Sequence, residues 1–354
     1  MEFLKCSKVI FKVVLMLVFV SLSIADFNDH HIYFNVIESN EKFYCLFPRD
    51  AVISSPHTMI ANVGNKKVTV LEASSRHTVK YLPVNTADVF PNLEEIDITL
   101  SGVKSLTYAN FRGLFKLTKL HFSLNILDII EKNSFKDLTS LKVLYLPHNH
   151  IEILSKHLFV NLESLEKLFL FGNQIFHLNP EQFKNNRNLI QLDLSNNKLQ
   201  SIEFGIFDSL RNLLELYLHR NEVMRLPGNI FQNNKQLRWL SLSRNLFSRI
   251  DGNSLTGLEN LVDFELTDNP LESFDFAVFE NKQNLETIYI SNCKIKFIRN
   301  IQEAAKLEKL RFVDLSKNIC IDRKYSTSGL RLVMKEEIET NCGKNKSFVV
   351  VKKI

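Results

Sequence analysis

Asparagine returns every 24 residues without a slip, at Asn125, Asn149, Asn173, Asn197, Asn221, Asn245 and Asn269. Around each stands the same apolar frame, Leu-x-x-Leu-x-Leu-x-x-Asn-x-Leu, seen cleanly in Leu189, Leu192, Leu194, Asn197 and Leu199. The units open at Leu93, Leu117, Leu141, Leu165, Leu189, Leu213, Leu237, Leu261 and Leu285, with a tenth at Leu310 after 25 residues. Within each, the x-Leu-x-Leu-x stretch alternates with period two, which predicts a short strand with one face inward and one in water. A single turn of chain cannot bury its own leucines. The core therefore exists only where turn lies on turn, with strands stacked in parallel and stability summed over neighbour contacts.

Where the strand ends the chain must bend, and the bend leaves backbone donors and acceptors inside the coil that need partners. An Asn amide supplies both kinds of group. Stacked once per turn, these side chains should form a ladder to adjacent backbone, with Ser101 in the position in the first repeat, Cys293 in the ninth and Asn318 in the tenth. A second column accounts for many of the 28 phenylalanines: Phe111, Phe135, Phe159, Phe183, Phe207, Phe231 and Phe279 lie 18 residues into their repeats, with Leu255 in the gap. This reads as an aromatic spine filling the back of the coil, because a repeat core needs a regular filler. Three residues later the column holds leucine, but Asn186, Asn234 and Lys282 interrupt it. Those polar alternates place the position near the convex surface.

Residues 1–25 carry Lys5, Lys8 and Lys12 ahead of an apolar run from Val13 to Val20 and end in Ser23-Ile24-Ala25, the layout of a secretory signal peptide cleaved after Ala25. Its removal takes three lysines and Glu2 and lowers the formal charge from +5 to +3, and no Arg/Lys stripe recurs along the repeats, so nucleic acid is not the expected partner. No later segment is long and apolar enough to span a membrane. Residues 26–92 should form an N-terminal cap with a degenerate first coil around Val68-Thr69-Val70-Leu71, residues 93–318 the ten repeats, and residues 319–354 a C-terminal cap and tail. Of the four cysteines left in the mature chain, Cys293 reads as a buried thiol standing in for Asn. Cys320 and Cys342 bracket the segment after the last repeat and should pair, an oxidising compartment permitting the bond. Between them Leu330, Val333, Met334 and Ile338 fall on one helical face after Ser326, Thr327 and Ser328, and this helix should roof the open end of the core. Cys45 is left with three fates: a free thiol, a bridge to a second chain, or a meeting with Cys293. Asn345-Lys346-Ser347 is the only glycosylation sequon.

The repeat frame, the leader and the ending Asn318-Ile319-Cys320-Ile321-Asp322 with its later Cys342 resemble secreted leucine-rich-repeat proteins of arthropods. Those are related in architecture to Toll-type receptor ectodomains and small matrix leucine-rich proteins. The resemblance covers roughly residues 30–342. It implies an α/β fold: a leucine-rich-repeat horseshoe solenoid with a concave parallel β-sheet, short irregular or helical convex segments, an N-terminal β cap and a C-terminal helical disulfide cap. It also implies two cysteines in the N-terminal cap. Cys45 fits one, but Ile32-Tyr33-Phe34 stands where the other belongs.

Outward strand positions, the third, fifth and seventh of each repeat, should line the concave surface. Folding requires no aromatics there, yet Tyr145, Phe169, Phe171, Tyr217, His219 and the chain's single tryptophan, Trp239, occupy them in repeats three to seven. Stacked strands would gather these rings within roughly 20 Å, given a spacing of about 4.8 Å. Exposed aromatic clusters mark interaction surfaces, although isolated surface rings often need no explanation. Asp263, Glu265 and Asp268 lie farther along, suited to a basic patch or simply to water. No Gly-x-Ser-x-Gly, His-Glu-x-x-His or phosphate-cradling glycine loop occurs, and His148 with His150 is a two-histidine pair lacking a third metal ligand. The chain thus reads as a secreted extracellular recognition protein, not an enzyme and without a cofactor. Through its concave face it would bind a protein or glycoconjugate, in immunity or adhesion as the resemblance implies. The competing reading is a structural matrix or assembly protein that acts as a homodimer.

Overall fold

A computed structural model describes residues 67–74, 78–326 and 330–343, together with five short strands between residues 31 and 60. The leader and Asn345 lie outside the described residues, as do Thr327 and Ser328 at the expected helix cap.

Ten strands, one per repeat, run from Glu95–Thr99 and Lys119–His121 through to Thr287–Tyr289 and Phe312–Asp314. Each pairs in parallel with the next at the repeat spacing, Lys119 beside Val143, Val143 beside Lys167, Trp239 beside Asp263. Parallel stacking begins before the first clean repeat: Lys42–Leu46 and Val70–Ser74 join the same sheet, which reaches 14 strands. An antiparallel strand finishes each end, Asn35–Ser39 at one and Lys324–Ser326 at the other. These two strands are themselves the edges of the sheet, and their shortness limits the unpaired backbone they offer to other chains. On the side away from the sheet the chain mostly turns, with a few single-turn helices such as Tyr108–Phe111, where Thr107 and Asn110 form a capping box.

Period-two alternation inside each strand becomes burial. Leu120, Leu144, Leu168, Leu192, Leu216 and Leu240 stack in one column and have no solvent exposure. The spine forms as expected: Phe159 stacks on Phe183 and Phe207 on Phe231, with ring centroids 6.1 and 5.7 Å apart. Beyond the gap at Leu255, Phe279 is packed by Phe264, Phe274 and Phe276.

The asparagine ladder has both expected halves. Asn197 Oδ1 accepts the Ile175 N–H of the preceding coil at 3.0 Å, while its amide donates to Leu170 O in that coil and Leu194 O in its own. Asn125, Asn149, Asn173, Asn221, Asn245 and Asn269 make the same crossing, and Asn318 resumes it with bonds to Ile290 O and Leu315 O. Ser101 is too short to cross back and donates its hydroxyl to Thr99 O. Cys293 donates its thiol to Leu266 O and Ser291 O, and burial pushes that thiol up to about 11.

Some expectations hold at these positions and others need correction. The column holding Asn186, Asn234 and Lys282 is interior, not near the convex surface. Each asparagine replaces leucine by bonding to two carbonyls of the coil before, Asn186 to Phe159 O and Leu162 O, and Asn234 to Phe207 O and Leu210 O. Lys282 donates to Glu280 O, and burial pulls its ammonium down from the ordinary lysine range. Cys45 is free and fully buried between Val36 and Leu71 of the neighbouring strands, and burial pushes its thiol up. A bridge from it to a second chain would need that strand opened, and it does not meet Cys293. Cys320 and Cys342 are bonded, and the helix Leu330–Cys342 packs on the last coils through Met334, Ile338 and Cys342. Val333 is 51% exposed because a stripe repeating every four residues is narrower than the expected face.

Candidate functional site

The outward side chains of the strands take their positions from the same ladder that buries the leucines, so each ring lies over the sheet at a known rung. Tyr145 and Phe169 are paired neighbours whose rings approach to 4.3 Å, with Phe171 edge-on to Tyr145 at 6.2 Å and His121 at 5.4 Å on the other side. His148 meets Phe171 edge-on at 5.1 Å. Two rungs on, Tyr217 contacts His219 and Trp239, each at 6.3 Å. Tyr289 and Phe312 pair at 5.3 Å near the C-terminal end. All six rings predicted for partner contact are half-buried, resting against one another on the solvent side of the sheet.

They do not form one continuous patch. The fifth repeat presents Gln191, Asp193 and Ser195, and Asp193 stands between Phe169 and Tyr217 in the ladder. No core requirement acts on an outward position, so its character can change from one rung to the next. A cleft of about 370 Å³ spans the interruption, bordered by His148, Phe171, Ser195, His219, Arg220 and Glu265. His148, Arg220 and Arg244 reach it from a column that sequence inspection passed over, the residue just before each ladder asparagine. That column is left-handed throughout, with φ of 54° at His148, 56° at Arg220 and Arg244, and 69° at Gly172. For a residue other than glycine such a backbone costs roughly 1–2 kcal/mol. At Gly172 a Cβ would also come within 2.5 Å of His148 Nδ1, so the small residue makes room for the imidazole.

The sequence profile described as leucine rich repeat matches residues 91–151, 115–175, 172–223 and 215–271. The chain belongs to the leucine-rich-repeat family. No curated protein matches this leucine-rich-repeat chain in sequence. Among solved structures it is similar to that of an LRIM1/APL1C complex, with a TM-score of 0.66 and 20% identity over 81% of this chain and 55% of that one. It is also similar to a TLR13–ssRNA13 complex, at 0.63 and 22% over 70% of this chain and 39% of that one. An octameric complex of Latrophilin 3, Unc5D and FLRT2 aligns at 0.59 and 22%, over 71% and 85%. At these identities the likeness is one of fold. The leucine-rich-repeat chain spans about half or less of the first two of these proteins.

Charge divides the sheet face of the leucine-rich-repeat solenoid into regions. In the first two repeats the outward carboxylates lie beside basic side chains, the Lys119 ammonium 3.6 Å from Glu95 and the His121 imidazole 3.8 Å from Asp97. In the tenth, Asp314 meets Lys324 at 3.0 Å; burial raises its carboxyl, but the Ser316 hydrogen bonds and that ammonium outweigh it and hold it below the usual range. Repeats five to eight differ. Asp193 accepts from the Ser195 hydroxyl and N–H, Glu215 from Gln191 and Tyr217, Asp263 from Thr287, and Glu265 from Ser241. All these donors are neutral, and among the described residues none of the four carboxylates has a basic ion-pair partner. Burial raises Asp193 above the ordinary carboxylate range, and burial also draws His219 away from its charged form. Tyr217 is pushed up by burial and then by Glu215, Asp193 and Glu265. Asp268 belongs elsewhere: it lies on the left-handed column, held low first by Asn292 and also by Arg244 at 3.0 Å. His148 and His150 are both exposed, and among the described residues no three His, Cys, Asp or Glu side chains converge as a metal site. No helix among the described residues is long and apolar enough to cross a membrane.

Proposed function

We propose that the protein is a secreted, non-catalytic recognition protein that binds an extracellular protein or glycoconjugate through the solvent side of its parallel sheet. The observation that carries this reading is the pair of ring groups, Tyr145 with Phe169 and Phe171, and Tyr217 with His219 and Trp239, held over the sheet where folding requires no aromatic. Rings fixed by their neighbours lose little freedom on docking, one reason aromatic residues dominate binding hot spots. The leader-like N-terminus and the Cys320–Cys342 disulfide favour an extracellular location. Solved leucine-rich-repeat complexes named above, with proteins or RNA, support a binding role, and immunity or adhesion are the settings the resemblance suggests.

Affinity capture from extracellular fluid with the mature chain as bait tests the reading. The double variant Tyr217→Ala/Trp239→Ala should lose the captured partner while keeping its thermal midpoint. Undiminished capture by that variant and by Tyr145→Ala/Phe169→Ala would remove the sheet face from the account.

A further inference from the structure

Trp239 stands between two carboxylates. In the parallel ladder its rung neighbours are Glu215 on one side and Asp263 on the other, so with strands about 4.8 Å apart both acids lie one strand from the indole. One row over, Tyr217 sits between Asp193 and Ser241, and Ser241 precedes Glu265. The twelve outward positions of repeats five to eight include these four acids and no lysine or arginine. Neutral donors fix the carboxylates in place without cancelling their charge. The indole N–H is turned out of solvent and has no hydrogen-bond partner, so what Trp239 offers a ligand is ring carbon, not a donor.

A flat aromatic surface flanked by fixed negative charges attracts a cation over the ring face, and an arginine guanidinium suits it best because it stacks and is weakly hydrated. Among the described residues the nearby cations stand at its edges, Lys167 beside Gln191 on the fourth-repeat side. Arg244 is taken up by Asp268, while Arg220 lies at the strand exits and Arg238 at a strand entry. We infer that repeats five to eight form a docking surface for an arginine- or lysine-bearing segment of a protein partner, with the cationic side chain seated on Trp239 and Tyr217 between Glu215, Asp263, Asp193 and Glu265. This rests on the sheet-face reading above and adds the chemistry of the partner. The chain as a whole carries a formal charge of +5, so the acidic strip is a local feature and not a consequence of composition.

Trp239 is the chain's single tryptophan and reports directly on the site. The probe is a short peptide alternating arginine and glycine, compared with versions carrying glutamine or glutamate in place of arginine. The arginine peptide should shift Trp239 fluorescence saturably. The midpoint should weaken by about tenfold in Glu215→Gln/Asp263→Asn/Glu265→Gln, the loss of three modest charge contacts. Raising salt should weaken it as well. Gln and Asn keep the acceptors that the neutral donors use, so the fold should survive; should the triple variant melt early, the single Glu265→Gln must still weaken the midpoint measurably. Absence of a shift, an equal response to the glutamine peptide, binding of the glutamate peptide at the Arg220 edge instead, or a midpoint indifferent to the carboxylates would overturn the inference. A captured partner that needs Tyr217 and Trp239 but ignores the carboxylates would overturn it too, while leaving the sheet-face reading intact.

Discussion

Leu216 and Tyr217 are consecutive residues on one strand, yet they belong to regions governed by different rules. Leu216 sits in a column where ten successive coils carry buried Ile, Leu, Phe or Val, because every coil must present the same shape to its neighbours. Tyr217 sits in a column that reads Asp97, His121, Tyr145, Phe169, Asp193, Tyr217, Ser241, Glu265, Tyr289 and Asp314. Nothing about stacking fixes that order. In a repeat protein the regular columns carry stability, and whatever distinguishes one protein from another resides in the irregular ones.

The sharpest break in this comparison should come from truncating both neighbours in turn. Leu216→Ala removes atoms from a fully buried site and should cost about 2–5 kcal/mol in chemical denaturation. Tyr217→Ala should cost far less and abolish binding instead; if the two lost equal stability, the ring would be core. Next in size is the ladder. Asn221 receives the Leu199 N–H and donates to Leu194 O and Leu218 O, and Asn221→Ala should lower unfolding free energy by about 1–3 kcal/mol through the groups left unpaired. Asn161, exposed and off the left-handed column, serves when changed to Ala as the control that sharpens the contrast.

The smallest effect is electrostatic. Asp193 has its carboxyl raised by burial, so the folded state binds its proton more tightly than the unfolded chain does. Its ionisation therefore works against folding at neutral pH, and that penalty fades as pH falls through the ordinary carboxylate range. Asp193→Asn should raise stability at neutral pH by no more than about 0.5 kcal/mol, with the difference vanishing in acid. Asp268 runs the other way. Its carboxyl is held low, so it stabilises the fold above the ordinary carboxylate range, and that contribution is lost as pH falls through its depressed folded value. Thermal midpoints of Asp193→Asn and Asp268→Asn across pH should thus diverge from the parent in opposite directions.

Much of this organisation was legible in the chain because periodicity is a one-dimensional record of stacking. The leucine columns, the phenylalanine spine, the ladder and the parity that places Tyr145 or Trp239 outward all follow from counting. Features that depend on contact between coils were not legible in the same way. Asn186 and Asn234 looked like surface residues because an amide at a leucine position breaks the apolar pattern, whereas its burial depends on carbonyls 24 and 27 residues earlier. A second polar column escaped notice for the same reason: Asn110, Ser134, Gln182 and Ser254 each donate to a carbonyl of the preceding coil from fully interior positions. The interruption at Asp193 could have been read from the column itself. The left-handed turn at the column just before the ladder position was only partly written there: Gly172, Asn196, Asp268 and Asn292 carry the usual marks of that conformation, whereas Leu100, Leu124 and Arg220 carry none.

The central claim is that the rings over repeats six and seven are offered to a partner and are not a covering for the sheet. Quenching of Trp239 fluorescence by a soluble agent such as acrylamide, measured before and after the captured partner is added, tests it most directly. Free protein should be quenched readily and the complex strongly shielded. Equal quenching in the two states, with binding verified in the same sample, would contradict the account.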